Sequence, residues 1–369
     1  MLTSAARVCL VLVVCLVGAW AVAQPMVRVL LDEQPGTVLI PFEGPHRGSI
    51  DGNAFATPFA LTWPVSAVDG RLVVDGREVG RQLDLAVDDG LVRYAGRAYR
   101  GVLRLVARDD RVLVVNVVDL ESYLRGVVPA EMQASWPLDA LRAQAVAART
   151  YVLARASPGA AYDLCATSDS QVYRGVGIEH PRSDQAVADT AGQVLTYGGT
   201  FARTYYHADS GGVIASSAEV WGASIPYLSA FQDVTSNGPH SSWEVRLEPG
   251  VIGAHMSAAG HHVGSVRQVR VLASSESGRV ARLEVVGSNG SVVLGAVDAR
   301  VQARAWGLKS TRFHMVGDLV FRGGGWGHGV GMSQYGARAL AAAGYGYGQI
   351  LAFYYPDTQL QRLTTVAAR

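Results

Sequence analysis

Short apolar runs alternate with polar turn signals from residue 26 to about 118. The runs include residues 72–74, 101–106 and 112–115. Asp-Gly pairs, which favour tight turns between strands, lie at 51–52, 69–70, 75–76 and 89–90. Apolar stretches of this length bounded by turn residues predict β-strands. We therefore expect residues 24–110 to form an N-terminal β-rich region.

Helical spacing replaces this pattern after residue 118. A short helix is predicted over 119–128, and Pro137 opens a longer one, because proline suits the first turn of a helix. Positions i, i+4, i+7 and i+11 of the longer helix are all apolar: Leu141, Ala145, Ala148 and Val152. This spacing predicts one apolar stripe on a helix over about 137–156. We expect that alanine-rich helix to be central and buried.

The pattern changes again at residue 240. Short predicted strands alternate with Gly, Ser and Asn turns at 266–272, 280–286 and 291–294. We interpret residues 240–316 as a smaller β-containing lobe that is inserted into the main, catalytic domain.

Together these elements predict an α+β fold: a mixed β-rich catalytic domain with a central buried helix and the inserted lobe. The catalytic domain comprises residues 111–239 and 317–369. Its second part is expected to start with a strand at 319–321, which leads into a glycine-rich segment. Two short helices, near 334–343 and 348–355, are predicted to follow.

Composition and charge narrow the possible partners. The chain of 369 residues is 49% hydrophobic and 17% charged, with a formal net charge of +1. This balance provides no basic field to hold nucleic acid, so no nucleic-acid partner is expected. Of the 32 basic residues, only Lys309 is a lysine. A lysine nucleophile is therefore excluded at every other position.

The first 23 residues have the pattern of a secretory signal peptide. Arg7 supplies positive charge, residues 8–17 are apolar, and the Ala-Val-Ala at 21–23 fits a cleavage site. We expect an exported protein in the periplasm, the cell envelope or the extracellular wall. The apolar run is shorter than the roughly 20 residues of a membrane span, so no stable span is expected after cleavage. An uncleaved anchor is the alternative.

Glu131 is a candidate for chemistry because its neighbours in the sequence are apolar. The residues Val-Val-Pro-Ala at 127–130 precede it and Met132 follows. A carboxyl group in apolar surroundings has its charged form disfavoured, which raises its pKa. A raised pKa suits the general acid of glycosidic cleavage. The alternative is a structural ion pair with Arg125 or Arg142.

A second candidate is the glycine-rich segment 322–334, in which glycine occupies every second position from 323 to 331. In an extended chain this spacing leaves one face bare. The other face then carries four side chains: Trp326, His328, Val330 and Met332. Such a strand admits either a flat ligand, such as a sugar ring stacked on Trp326, or a second backbone that crosses it. Ser333 is expected to cap the following helix.

A third candidate is the segment 205–212, Tyr-Tyr-His-Ala-Asp-Ser-Gly-Gly. Asp-Ser-Gly-Gly also surrounds the nucleophile of chymotrypsin-like proteases, but the partner motifs of a serine nucleophile are missing. A Gly-x-Ser-x-Gly elbow is excluded because residue 208 is alanine. We interpret the segment as a polar, tyrosine-rich wall of a cleft. The scattered histidines and the lack of His-Glu-x-x-His do not support a metal site, and no cofactor is expected.

Several blocks of the sequence, in order, resemble the stage II sporulation protein D (SpoIID/LytB) family. These blocks are residues 127–132, 135–137, 140–151, 170–175, 190–195, 210–212 and 326–337. The resemblance implies a lytic transglycosylase that cleaves peptidoglycan glycan strands, in sporulation members strands already stripped of stem peptides. The family's catalytic glutamate falls on Glu131, and its Gly-His-Gly-x-Gly-Met-Ser-Gln motif falls on 327–334.

The predicted site combines these patterns with the resemblance. Glu131 is expected to be the catalytic residue. Twelve residues are expected to bind substrate: Gln144, Arg149, Gln171, Tyr173, Tyr205, His207, Ser210, Trp326, His328, Met332, Ser333 and Gln334. The expected partner is the peptidoglycan glycan strand, and no metal is expected in the site.

A lytic transglycosylase can work with one carboxyl group. Glu131 would protonate the bond between N-acetylmuramic acid and N-acetylglucosamine and then accept the proton of the muramic 6-hydroxyl, which closes a 1,6-anhydro ring. A hydrolase instead needs two carboxylates, for which Asp209 or Asp233 is a candidate. A further alternative is a non-catalytic glycan-binding protein that stimulates a cell-wall amidase.

Overall fold

A computed structural model describes residues 25–57, 61–87, 90–233 and 238–363. The predicted signal peptide at 1–23 lies outside the described residues. Helices and several sheets are mixed along the chain, so the predicted α+β class is confirmed. Within the part of the chain that the structure describes, no helix combines the length and the apolar character needed to cross a bilayer.

The N-terminal region contains two larger sheets that pack against each other in one core, and a separate two-stranded sheet. Its strands are β1 (Met26–Pro35), β2 (Val38–Phe42), β3 (His46–Ile50), β4 (Asn53–Thr57), β5 (Leu61–Val68), β6 (Arg71–Val74), β7 (Arg77–Gly80), β8 (Gln82–Val87), β9 (Leu91–Tyr94), β10 (Arg97–Arg100), β11 (Val102–Arg108) and β12 (Arg111–Asp119). The two-stranded sheet pairs β9 with β10, and the smaller of the two larger sheets has the order β2-β5-β6-β7. Buried Val65 and Leu72 of this sheet pack in one core with Leu83 and Leu105 of the larger sheet.

The remaining elements, in chain order, are mostly short. They are α1 (Leu120–Glu131), α2 (Leu138–Arg155), β13 (Leu164–Cys165), a 3-10 turn (Val176–Ile178), α3 (Pro181–Asp189), β14 (Gln193–Tyr197), β15 (Thr200–Phe201), β16 (Tyr206–His207), β17 (Val213–Ile214), α4 (Ser217–Trp221), β18 (Phe231–Gln232), β19 (Trp243–Arg246), α5 (Pro249–Ala258), β20 (Val266–Ser274), β21 (Val280–Gly287), β22 (Gly290–Gly295), α6 (Ala296–Ala305), β23 (Phe313–Gly317), β24 (Val320–Gly323), β25 (Met332–Ser333), α7 (Gln334–Ala342), α8 (Tyr347–Tyr354) and β26 (Gln359–Arg362). β13 adds to the larger N-terminal sheet, whose order is β13-β1-β12-β11-β8-β3-β4.

Helix α1 begins at the end of β12 and ends at Glu131. Asp119 caps it, because the Asp119 carboxylate accepts a hydrogen bond from the backbone N–H of Ser122 at 2.9 Å. The helix continues beyond the predicted 119–128. Pro129 lies in its last turn, where the missing N–H removes only one hydrogen bond, and the N–H of Met132 closes the turn onto Val128.

Helix α2 is the central helix, with each end one residue inside the predicted range of 137–156. α1, α3, α7, α8 and β14 pack around it. The predicted stripe of Leu141, Ala145, Ala148 and Val152 is buried, as expected, but burial extends beyond it to every residue from Ala140 to Val152 except the partly exposed Arg142. Its many alanines allow neighbours to approach from every direction. Buried polar members are hydrogen-bonded, as when Thr150 donates to Val146 at 2.8 Å.

Residues 243–321 enclose a second hydrophobic core, with β20, β21 and β22 in one sheet and helices α5 and α6 against the strands. The two helices were not predicted. α6 buries mainly Ala299, Gln302 and Ala303, and small or polar residues give little apolar periodicity. The limits of the inserted lobe at 240 and 316 remain a prediction.

The strand predicted at 319–321 is present as β24, but it belongs to a different sheet and core from those expected. Residues 319–321 were assigned to the catalytic domain, but β24 pairs with β19 and β23. Phe321 of β24 packs in the same core as Trp243 and Phe313. Proximity to the glycine-rich segment in the sequence suggested the assignment, whereas pairing with a strand that lies far away in the sequence leaves no local signal.

The glycine-rich segment is not the extended strand that its alternation predicted. Gly325, Gly327, Gly329 and Gly331 have φ angles of +84°, +106°, +82° and +71°. A chain that is left-handed at every second residue cannot keep the pleat of a strand. The predicted shared face is therefore wrong: Trp326 is exposed, whereas Val330 and Met332 are fully buried. The prediction that Ser333 caps the next helix is confirmed, since its hydroxyl accepts from Gly336 N–H at 3.2 Å.

Candidate active site

A cleft of about 640 Å³ lies where the larger hydrophobic core meets the second core, which residues 243–321 enclose. The part of the chain before the second core lines it with Glu131 at the end of α1, with residues 168–170 and Val172, and with the segment 205–208. The glycine-rich segment contributes residues 326–328. Helix α6 of the lobe adds Arg300 and Arg304, so both cores of the molecule contribute to one cavity.

The Glu131 carboxyl group is held from two sides. Its Oε1 accepts a hydrogen bond from the backbone N–H of Val172 at 2.8 Å, and its Oε2 accepts one from the Gln334 amide at 3.4 Å. Gln334 is the first residue of α7, and Val172 belongs to the loop after β13. Two elements far apart in the sequence therefore fix one carboxyl group at the cleft.

Burial raises the pKa of Glu131 above its ordinary value. The N–H of Val172, the Gln334 amide and the Tyr206 hydroxyl each oppose this shift without cancelling it. The Tyr206 hydroxyl is buried and, within the described residues, makes no hydrogen bond of normal geometry. The carboxyl group thus holds a proton more readily than an exposed glutamate does. When it loses that proton, these three donors can stabilise the carboxylate.

The alternative of an ion pair at Glu131 is wrong for the arginines that were considered. Arg125 pairs with Glu179 at 3.1 Å and with Asp184 at 2.8 Å. Arg142 pairs with Asp139 and Asp189. Because both cations have other partners, they leave the cleft carboxyl group without a neutralising charge.

Two histidines form a wall of the cleft, and both are neutral near pH 7. Burial, followed by nearby positive charge, lowers the pKa of His328 to about 3 and the pKa of His207 well below its ordinary value. His207 Nδ1 lies 3.2 Å from the Val330 carbonyl. That bond requires the proton on Nδ1 and leaves Nε2 as an acceptor. His328 Nδ1 accepts from the N–H of Val330 at 3.0 Å.

Trp326 presents the largest exposed aromatic surface of the cleft, with 47% of its area accessible. The edge of His240 packs against its ring at a centroid distance of 4.5 Å. The Lys309 ammonium lies 5.6 Å from the ring centroid. A tryptophan that is supported on these sides and open on another can stack against a flat apolar face such as that of a sugar.

Six of the predicted site residues meet at this cleft. They are Glu131, Tyr205, His207, Trp326, His328 and Gln334. That these residues bind or transform substrate stays a prediction.

The other seven predicted residues do not line the cleft, and we revise their expected role from contact to support. They are Gln144, Arg149, Gln171, Tyr173, Ser210, Met332 and Ser333. Arg149 is engaged by Glu121 at 2.6 Å, and Ser210 donates to Asp233 at 2.8 Å.

The remaining five of these residues are also occupied by internal contacts. Tyr173 donates to Asn116 at 2.9 Å, and Gln171 accepts from Tyr123 at 3.0 Å. Gln144 lies behind Gln334, with 3.5 Å between the amide groups. Met332 is part of the core and Ser333 caps α7. The resemblance marks the neighbourhood of the cleft, but it does not say which side chains reach the ligand.

The two carboxylates considered as partners of Glu131 lie outside the cleft. Asp209 and Asp233 are fully buried. Asp209 accepts from the N–H of Gly211 at 2.8 Å, and Asp233 accepts from Ser210 and from Tyr354. The cleft contains a different second carboxylate, Asp169, which is bound to Arg304 at 2.8 Å.

Several cleft residues were missed from the sequence. These are Tyr151, Arg155, Ser168, Asp169, Ser170, Val172, Trp221, Arg300 and Arg304. Arg300 and Arg304 are four residues apart, which places them on one face of a helix. Recognition of α6 would therefore have paired them. Within the described residues, no group of three or more His, Cys, Asp or Glu side chains is arranged to hold a metal ion.

Two protein-family models match separate parts of the chain, and both parts contribute residues to the cleft. The model of the stage II sporulation protein family matches residues 108–197, and a model described as a domain of unknown function matches residues 242–331. Glu131 lies in the first match, whereas Arg300 and Trp326 lie in the second.

Related proteins extend the match along most of the chain. An uncharacterised protein of Brachyspira hyodysenteriae is 29% identical over 90% of this chain and 92% of its own length. Stage II sporulation protein D of Bacillus subtilis is 30% identical over 67% of this chain and 75% of its own length. The amidase enhancer of Bacillus subtilis is 31% identical over 64% of this chain, which spans only 40% of that relative.

Proposed function

The chain belongs to the stage II sporulation protein D family, and from this premise we propose that it is an exported peptidoglycan lytic transglycosylase. Its substrate is the glycan strand of the bacterial cell wall, and Glu131 is its acid and base. One observation carries the proposal: the cleft contains a carboxyl group with a raised pKa and no cationic partner among the described residues. The predicted signal peptide supports export.

In the first step, the protonated Glu131 donates its proton to the oxygen that links N-acetylmuramic acid to N-acetylglucosamine. The bond from that oxygen to the muramic C1 breaks, and positive charge develops at C1. The backbone N–H of Val172 and the Gln334 amide then stabilise the carboxylate that is left. A stacked sugar on Trp326 would hold the strand in register.

In the second step, the Glu131 carboxylate accepts the proton of the muramic 6-hydroxyl while O6 bonds to C1. The product carries a 1,6-anhydro ring, no water is consumed, and Glu131 is protonated again. A mechanism that needs only one carboxyl group suits this cleft, because Asp209 and Asp233 are buried away from the cavity. Asp169, the other carboxylate of the cleft, is paired with Arg304 at its exposed edge, which disfavours it as a nucleophile or base.

The test is mass spectrometry of glycan digested by the chain and by its Glu131→Gln variant. We expect 1,6-anhydro-muramic ends from the unaltered chain. Loss of a general acid should reduce the rate about 100-fold or more. Reducing ends without the anhydro ring would overturn the mechanism, as would a fully active variant. Unfolding curves of both proteins provide the control for folding.

A second candidate function is a non-catalytic glycan-binding partner of a cell-wall amidase. The observation that favours it is the 31% identity to the amidase enhancer. This function predicts glycan binding without turnover and stimulation of an added amidase. In that case Glu131→Gln would leave the stimulation unchanged, whereas Trp326→Ala would weaken it through lost binding.

A further inference from the structure

The lobe lines the cleft with arginines. Arg300 and Arg304 lie one turn apart on α6, and both face the cavity that contains Glu131. Arg304 has an acidic partner, since it binds Asp169 at 2.8 Å across an exposed edge. Arg304 therefore has an anionic partner at the edge of the cleft, and Arg300 differs from it in this respect.

Arg300 is a half-buried guanidinium without an anion. Within the described residues it makes no ion pair, and its Nε is buried without a hydrogen-bond partner. Burial and the neighbouring charge of Arg304 lower the pKa of Arg300. A desolvated cation without a partner costs free energy. A ligand that supplies an oxyanion would remove that cost.

The surroundings of Arg300 match an anionic sugar. A second cavity of about 240 Å³ adjoins the cleft and shares Arg300, Arg304, Trp326 and His328 with it. Lys309, the sole lysine of the chain, also lines this second cavity. Positive charge thus lies beside the exposed indole of Trp326, so one ligand can place a ring on the tryptophan and an anionic substituent in the adjoining cavity.

We propose that the adjoining cavity is an oxyanion subsite, in which Arg300 binds an anionic group carried by a saccharide whose ring stacks on Trp326. The forked N–H groups of arginine match the two oxygens of a carboxylate. In a cell-wall glycan that group is the lactyl carboxylate of a muramic residue without a peptide. The proposal takes its ligand class from the proposed function, but it concerns binding and not cleavage.

The test measures binding in the Glu131→Gln background, so that no turnover intervenes. The probes are a tetrasaccharide of alternating N-acetylglucosamine and N-acetylmuramic acid with free carboxylates, and the neutral tetramer of N-acetylglucosamine. Arg300→Gln should weaken binding of the anionic probe about tenfold, since a hydrogen bond to a charged group contributes about that much affinity. It should leave the affinity for the neutral probe unchanged. Arg267→Gln, an exposed arginine of the same lobe outside both cavities, is the matched control.

A ligand-side arm avoids any effect of the substitution on folding. The methyl ester of the anionic tetrasaccharide should bind the Glu131→Gln protein about tenfold more weakly than the free acid. Equal losses for the anionic and neutral probes in Arg300→Gln, or no loss for either, would overturn the subsite. Inorganic phosphate at constant ionic strength distinguishes the source of the oxyanion: competition that depends on Arg300 assigns a phosphate site, and lack of competition assigns the sugar carboxylate.

The outcome is independent of whether the glycan is cut. Discrimination by Arg300 in a chain that never produces anhydro ends would support the subsite and refute the transglycosylase. Anhydro ends from a chain whose Arg300→Gln variant binds both probes normally would support the transglycosylase and refute the subsite.

Discussion

Charged side chains in the interior of the molecule differ from those at the cleft in how they are compensated. Arg149, whose side chain is fully buried, holds Glu121 through hydrogen bonds of 2.8 and 2.6 Å. Arg28 of the N-terminal strand β1, which is partly exposed, also makes two hydrogen bonds to its partner, the largely buried side chain of Asp163. A charge removed from water is tolerated when an opposite charge and hydrogen bonds replace its hydration.

At the cleft, two ionisable groups lack an oppositely charged partner within the described part of the chain. Glu131 has no cation and Arg300 has no anion among the residues that the structure describes, although both line one cavity. Stability alone would favour pairing such groups or replacing them. Unpaired charged groups in one cleft are typical of a site arranged for a ligand, in which the acid supplies a proton and the cation binds an anion.

The largest expected effect comes from breaking an interior pair. Arg149→Met keeps much of the volume and leaves Glu121 without its partner, which should lower the free energy of unfolding by about 3–5 kcal/mol. Urea denaturation measures the loss. Arg142→Met is the matched control, because its pair with Asp189 is partly exposed and should contribute about 1 kcal/mol or less. Similar losses in the two variants would remove the contrast between interior and surface pairs.

Arg279 is an intermediate case that sharpens the comparison. This lobe residue is almost fully buried, and its hydrogen bonds go to the carbonyls of Ser210 and Val213. Burial lowers its pKa to about 10. Its guanidinium lies where a side chain on Gly329 would have to go. The buried guanidinium therefore packs against Gly329 of the glycine-rich segment and is stabilised by backbone carbonyls, without an ion pair among the described residues.

Gly329→Ala tests this contact. The substitution adds left-handed strain and overlap with Arg279, and should cost about 3 kcal/mol in unfolding free energy. Gly192→Ala provides the control, because Gly192 has φ +68° and open space around it, so only the strain of about 1–2 kcal/mol applies. Thermal or urea unfolding measures both. Equal costs would mean that Arg279 yields readily and does not hold the segment.

The fold was predictable from the sequence where a local pattern fits only one type of element. The spacing of Leu141, Ala145 and Ala148 indicated α2 to within a residue at each end. By contrast, glycine at alternate positions fits two structures, a strand with a bare face and a chain with left-handed turns. The structure has the second, in which the glycines pack closely against His207 and Tyr205. These two residues are remote from the glycines in the sequence, so the local pattern gave no sign of the contacts.

The site was predictable where chemistry depends on immediate neighbours. Apolar residues around Glu131 indicated a raised pKa, which the fold also produces. Arg300 carried no such signal, because its lack of an anion depends on where the lobe places α6. Gln144 and Arg149 were assigned to substrate for the opposite reason: their motif lies next to the cleft, but α2 directs them into the core.

The smallest expected effect is a dependence of stability on pH that should have opposite signs for an unpaired and a paired carboxyl group. Because the folded pKa of Glu131 is raised, its contribution to stability is present at acid pH and is lost as the pH rises through that pKa. Glu131→Gln should therefore gain in melting temperature, relative to the unaltered chain, from pH 4 to pH 8.

Asp163 is the paired counterpart. Burial alone would raise its pKa, but hydrogen bonds from Arg28 and from the N–H of Ser157 lower it overall. Its contribution to stability is therefore present near neutrality and is lost as the pH falls through the folded pKa. Asp163→Asn should lose melting temperature relative to the unaltered chain as the pH rises from acid to neutral. Differential scanning calorimetry across this range compares the two slopes. Slopes of the same sign would mean that Glu131 is compensated after all, and the contrast between interior and cleft would fail at its central residue.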